Sequence, residues 1–99
     1  VFAAVFEYLV EPSTVRAFEA AYGRDGAWSE LFGRAPGYLG TELLCDRTTP
    51  GRYLVVDRWE SPGDHRAFHR DWGKEYRALS EAHERFYRRE VTVGEFVVR

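Results

Sequence analysis

The sequence predicts an α+β fold of element order β-α-β-β-α-β, the ferredoxin-like split unit with an antiparallel sheet, as one domain over residues 1–99. Three observations predict it. Four stretches rich in Val, Leu, Phe and Tyr alternate with two stretches whose apolar residues recur at helical spacing. Turn chemistry separates them: "EPS" at 11–13, "APG" at 35–37, "TPGR" at 49–52 and "SPGD" at 61–64. The two middle strands are joined only by a tight turn, which permits an antiparallel hairpin and no parallel crossover.

The elements follow in order. "VFAAVFEYLV" (1–10) reads as the first strand. Pro12 and Ser13 end it, and Ser13 is placed to cap a helix through Val15, Phe18 and Tyr22. "GRDG" (23–26) breaks that helix, and a short second piece carries Trp28, Leu31 and Phe32 at i, i+3, i+4. The second strand is 38–46 and the third 52–60. Between them Pro50 supplies a fixed φ and Gly51 a positive one, as a type II turn requires. Ser61 as N-cap, Pro62 in the first position and Asp64 reaching back start a long helix, expected to run to about residue 87. The last strand is 90–98. Its apolar phase changes across Gly94, from Val91 and Val93 to Phe96 and Val98, which predicts a bulge there.

Helices on one face of such a sheet leave the other face to water, and that face should then be polar. It is not. The first strand sets Phe2, Ala4, Phe6, Tyr8 and Val10 on one face and Ala3, Val5 and Leu9 on the other, and "LL" (43–44) and "YLVV" (53–56) are apolar on both. A second copy of the chain is the expected cover, which predicts a homodimer packed through its sheets.

Charge and composition narrow the function classes. The net charge is −2 with both signs scattered, so no basic stripe points to nucleic acid. No apolar run is long enough for a membrane span or a secretory signal. Cys45 is the only cysteine, so neither an internal disulfide nor a cysteine metal cage can form, which fits a reducing cytoplasm. Cys45 itself is expected to be a small buried hydrophobe. Asn and Gln are absent, so no side-chain amide is available to orient a substrate or hold an oxyanion.

The chemistry-bearing residues cluster on the long helix. At about 100° per residue, His65, Phe68, His69, Trp72, Tyr76, Leu79, His83 and Phe86 share one apolar stripe roughly 100° wide. Gly73 is a place where the helix can kink and rotate one half of the stripe against the other. Two readings of the imidazoles stand side by side. In one, His65 and His83 end the stripe bonded to backbone or water. In the other, His69 or His65 lines a helix–sheet pocket beside Trp72 and Tyr76, where a group with an ordinary pKa near 6.5 suits a base for a phenol or enol. A metal reading rests on the i, i+4 spacing of His65 and His69 and needs a third ligand such as Asp64; without a local Glu partner, no metal is expected.

Asp57 and Arg58 point to opposite faces of the third strand, and both faces read as buried, so one charge is expected inside or at the dimer interface. Either it is paired, with Glu7 as a candidate partner of Arg58, or it polarises a bound substrate, and Arg58 is the residue expected to stabilise an anionic oxygen. Trp59, Trp28, Tyr38 and Tyr53 are either core or the walls of a flat aromatic pocket.

Together, "PGYLGTEL" at 36–43, "YLVVDRWES" at 53–61, Phe68 and Tyr76 on the following helix, and Glu90, Gly94 and Phe96 near the end resemble the antibiotic biosynthesis monooxygenase family of dimeric α+β barrels. The resemblance covers nearly the whole chain. It implies a ferredoxin-like protomer dimerised through its sheet, with a pocket between sheet and helices. It also implies oxidation of quinols, anthrones or other electron-rich aromatics by O₂, with no metal or flavin cofactor. Other relatives degrade haem, using an Asn of the first strand with a Trp and a His on the second helix, and this chain has no Asn. The expectation is therefore a cytoplasmic homodimer that binds a small aromatic molecule. His69 and His65 accept a proton and Arg58 steadies an anion; Trp72, Tyr76, Trp59, Phe68 and His83 hold the substrate. The rival expectation is a non-catalytic ligand-binding or stress-related dimer of the same fold.

Overall fold

In the computed structural model, which describes residues 1–99, one antiparallel sheet of strand order β2-β3-β1-β4 carries its helices on one face. The strands are β1 (Phe2–Leu9), β2 (Tyr38–Cys45), β3 (Arg52–Trp59) and β4 (Arg89–Val97). The helices are α1 (Val15–Tyr22), α2 (Ala27–Phe32) and α3 (Pro62–His83). Short 3₁₀ turns precede α1 at Pro12–Thr14 and follow α3 at Glu84–Phe86, so the long helix ends sooner than its apolar stripe suggests.

The turn residues act as their chemistry predicts. Arg52 N–H donates to the Thr49 carbonyl at 3.2 Å, and Gly51 sits at φ 80°. A Cβ at Gly51 would lie 2.4 Å from the Val10 carbonyl oxygen, which itself belongs to the strand end that bonds this turn. Gly51→Ala is therefore expected to cost about 1–2 kcal/mol, from positive φ and from steric conflict, read as a lower thermal midpoint. Ser61 caps α3: its hydroxyl oxygen accepts from the Asp64 N–H at 3.1 Å and its O–H donates to the Asp64 carboxylate at 2.9 Å. The N-terminal side differs from expectation. Ser13 falls inside the 3₁₀ turn and makes no cap, while Thr14 spends its hydroxyl on the Phe86 carbonyl at 3.0 Å, tying the start of α1 to the end of α3.

The bulge predicted at Gly94 is present. Val5 pairs with Gly94 and Phe6 with Thr92, so Val93 has no partner across the ladder, and Gly94 adopts φ 156°. The core lies between sheet and helices. Phe2, Ala4, Tyr8, Tyr53, Val55 and Trp59 from the sheet meet Phe18, Tyr22, Trp28, Leu31, Phe32 and Phe68 from the helices. It is unusually aromatic, and the rings meet mostly tilted or edge to face, the arrangement their quadrupoles favour.

The opposite face of the sheet is covered by nothing in the protomer. Ala3, Val5, Leu9, Leu54, Val56 and Val91 alternate onto it, and Leu44 and Phe96 are 44% and 48% exposed. Ion pairs on it join Arg52 to Glu7 at 2.7 Å and to Asp46 at 2.9 Å, and Arg58 to Glu42. Glu7 is thus the partner of Arg52 and not of Arg58. Cys45 corrects a further expectation: as the last residue of an edge strand it is exposed.

Candidate active site

Between the sheet and α3 lies a narrow pocket with a cavity volume of about 30 Å³. It is a slit with its walls close together. The sheet supplies Phe6 and Tyr8 from β1, Val55 and Asp57 from β3 and Glu90 from β4. Tyr22, Trp28 and Phe32 close one side from α1 and α2, and α3 presents His65, His69, Tyr76 and Ser80.

The two histidines are one turn apart on α3, and their Nε2 atoms meet at 3.2 Å. One ring must donate and the other accept, so at least one is neutral. Burial lowers the pKa of both below 6.5. The charge of His69 lowers His65 further, and the carboxylate of Glu95 on β4 pulls both the other way. At neutral pH the pair is uncharged and ready to take a proton. The ring of His69 stands edge-on to Tyr76 at 4.7 Å, and that of His65 packs against Phe2 at 5.1 Å and Trp59 at 5.6 Å.

Asp57 is the second ionisable group of the pocket floor and is only 5% exposed. Thr41 Oγ1 donates to its Oδ1 at 2.7 Å, and Tyr38 Oη lies 2.5 Å from the same Thr41 oxygen. Asp57 takes part in none of the ion pairs. Burial therefore raises its pKa to about 6, against the opposing Thr41 bond. The folded pKa lies above the ordinary 3.8, so the native state binds the proton more tightly, and stability present below pH 4 is lost as pH rises towards 6. Asp57→Asn is expected to remove that loss and to gain on the order of 1 kcal/mol at neutral pH, read from urea midpoints across this pH range. Elsewhere on the floor, Tyr8 donates its hydroxyl to Glu90 at 2.5 Å; burial and that carboxylate together keep the phenol protonated.

The structure brings His65, His69 and Tyr76 into one pocket and places the other expected residues elsewhere. Arg58 is on the far face of the sheet, bonded to Glu42, because its parity along β3 is opposite to that of Asp57. It cannot steady an anion in this pocket. Trp72 lies outside this pocket: its own backbone is non-helical (φ −120°, ψ 18°), and its half-buried indole packs at the edge of the core and lines a surface groove with Pro36 and Ala67 under the Arg34 guanidinium, 5.9 Å from the ring. Trp59 and Phe68 are fully buried core, packed on Phe32 at 5.7 and 4.9 Å. His83 bonds through Nδ1 to the Leu79 carbonyl at 2.7 Å, a structural use of an imidazole near a helix end. No group of three or more His, Cys, Asp or Glu stands at metal-binding distances. Sequence reasoning weighed Asp57 against Arg58 and chose Arg58, and it did not single out Glu90 for the site. The signal for Asp57 was there: it shares strand parity with Tyr53, Val55 and Trp59, which a core-facing strand must turn towards the helices.

The family model for antibiotic biosynthesis monooxygenases matches residues 1–86. Curated proteins give no match. Solved structures of similar fold include a single-residue variant of SnoaB, a cofactor-independent oxygenase from Streptomyces nogalater. It is 20% identical, with 99% of this chain and 92% of that one covered, at a TM-score of 0.74. A Bordetella bronchiseptica protein assigned as an antibiotic biosynthesis monooxygenase is 23% identical, with 99% and 96% covered, at 0.77. A variant of MhuD carrying two manganese protoporphyrin IX molecules per active site is 23% identical, with 99% and 94% covered, at 0.72. At these identities the likeness establishes the shared fold, while the sequence match establishes the family. The chain belongs to the antibiotic biosynthesis monooxygenase family.

Proposed function

We propose that the protein is a cofactor-independent monooxygenase for a small, electron-rich aromatic of the quinol or anthrone kind, bound in the slit between α3 and the sheet. The observation that carries this reading is the uncharged His65–His69 pair, facing a pocket otherwise walled by aromatic rings. A phenol or enol entering there gives its proton to an imidazole. The resulting substrate anion is the reductant for O₂, and the imidazolium formed beside it offsets its charge. For an anthrone the balance is complete without another reductant: the methylene carbon gains one oxygen as a carbonyl, and the second oxygen leaves as water with the two methylene hydrogens. Tyr76, edge-on to His69, orients the ring, and the remaining aromatic walls exclude water from the anion.

The same reading includes a homodimer in the cytoplasm, with the apolar outer face of the sheet as the contact. The narrowness of the slit supports a second reading, a dimer that holds a ligand without turning it over. The absence of Asn and the same narrowness weigh against a porphyrin as the occupant. Oxygen-electrode measurements over a panel of quinols and anthrones separate the readings: protein-dependent uptake is expected, and uptake no faster than buffer supports the ligand-holding one.

A further inference from the structure

We propose that Asp57 sets the specificity of this pocket: it accepts a hydrogen bond from a hydroxyl of a neutral aromatic ligand and turns away aromatics that carry a carboxylate or another fixed negative charge. The inference rests on the reading above only in taking the slit as the binding site.

An ionised carboxylate offers about four acceptor positions, and Asp57 has one protein partner, on Oδ1. Thr41 has a single hydroxyl proton, which goes to Asp57, so Thr41 must accept from Tyr38. This chain holds the carboxylate in place and leaves acceptor capacity within a pocket it lines. A buried carboxylate with unused acceptors favours a ligand that brings a donor.

Asp57 and Glu90 line the pocket, and Glu95 acts on both histidines from β4. Neither Lys nor Arg lines it. Arg66 acts on His65 from the exposed side of α3, and Arg58 is held by Glu42 on the far side of the sheet. An anionic aromatic would bring like charge beside Asp57 and Glu90 into a desolvated site that no Lys or Arg lines, whereas a neutral hydroxyarene donates to the free acceptor positions of Asp57. Ring walls supply the apolar part of the affinity for both, so Asp57 discriminates between them.

The test uses two naphthalenes of matched shape, 2,6-dihydroxynaphthalene and 6-hydroxy-2-naphthoate, titrated calorimetrically under nitrogen at about pH 8. The wild-type chain is expected to bind the neutral probe about tenfold or more tighter. Asp57→Asn is expected to bring the two within about threefold, chiefly by admitting the carboxylate. Thr41→Val retains the charge but frees the carboxylate from its anchor. It is expected to weaken the neutral probe while still excluding the anionic one, which guards against reading a folding defect as lost selectivity. Equal affinity in the wild type, an unchanged preference in Asp57→Asn, or no binding of either probe overturns the proposal. Binding needs no oxygen, so selective binding without oxygen uptake keeps this inference and rejects the oxygenase reading.

Discussion

Replacing His65 and His69 together by alanine is expected to lower substrate-dependent oxygen uptake about 100-fold or more, the usual worth of a positioned general base. The double replacement is the informative one. The Nε2 atoms are 3.2 Å apart, so either imidazole can take the proton when the other is lost, and single variants should fall less. The pH profile follows from the same geometry. Burial holds both pKa values below 6.5, so the wild type should keep its activity down to that pH and lose it only as pH falls further and the pair charges. Removal of His69 relieves His65 of one cause of its depression, so the acid limb of His69→Ala should move up in pH. Circular dichroism checks that the helix persists.

Introducing aspartate at both Val5 and Val56 is expected to convert a dimer into a monomer, read as a halving of mass by light scattering at about ten micromolar protein. The two residues pair directly across β1 and β3 in the middle of the uncovered face. Each added carboxylate would be buried opposite the apolar face of the other copy, beside an Arg58 already engaged by Glu42. That costs several kcal/mol per site, comparable with what an interface of ordinary size supplies. The helix-side pocket is on the other side of the sheet, so binding of an aromatic probe to the monomer measures whether the pocket needs the second copy. A wild-type chain that is already monomeric at this concentration contradicts the expected use of the face.

Sequence spacing was enough for the architecture because local chemistry decides it. Gly51 follows Pro50 in a turn that only a positive φ closes, Ser61 stands before Pro62 and three residues before Asp64, and Gly94 breaks the alternation of β4; each does in the structure what its side chain, or lack of one, permits. The site was legible only in part. The i, i+4 imidazoles meet as the helical period requires. Trp72 does not join them, because a regular wheel cannot show that the backbone at Trp72 itself leaves helical φ/ψ and turns the indole to Arg34. At β3, the choice between Asp57 and Arg58 turned on charge preference for an anionic substrate. Strand parity with Trp59 decides it the other way and puts the carboxylate inside. His83 was ambiguous by composition alone, since only the carbonyl of Leu79 at hydrogen-bond distance separates a structural imidazole from a chemical one.

The central claim, that this pocket uses O₂ on an aromatic by taking its proton on the His65–His69 pair, is tested most directly by turnover of an anthrone under ¹⁸O₂ with mass analysis of the quinone. The account predicts a product heavier by one ¹⁸O atom, formed faster than in buffer by the wild-type chain and at the buffer rate by the chain lacking both imidazoles. Labelled quinone formed no faster than in buffer, or formed equally fast by the double variant, contradicts it.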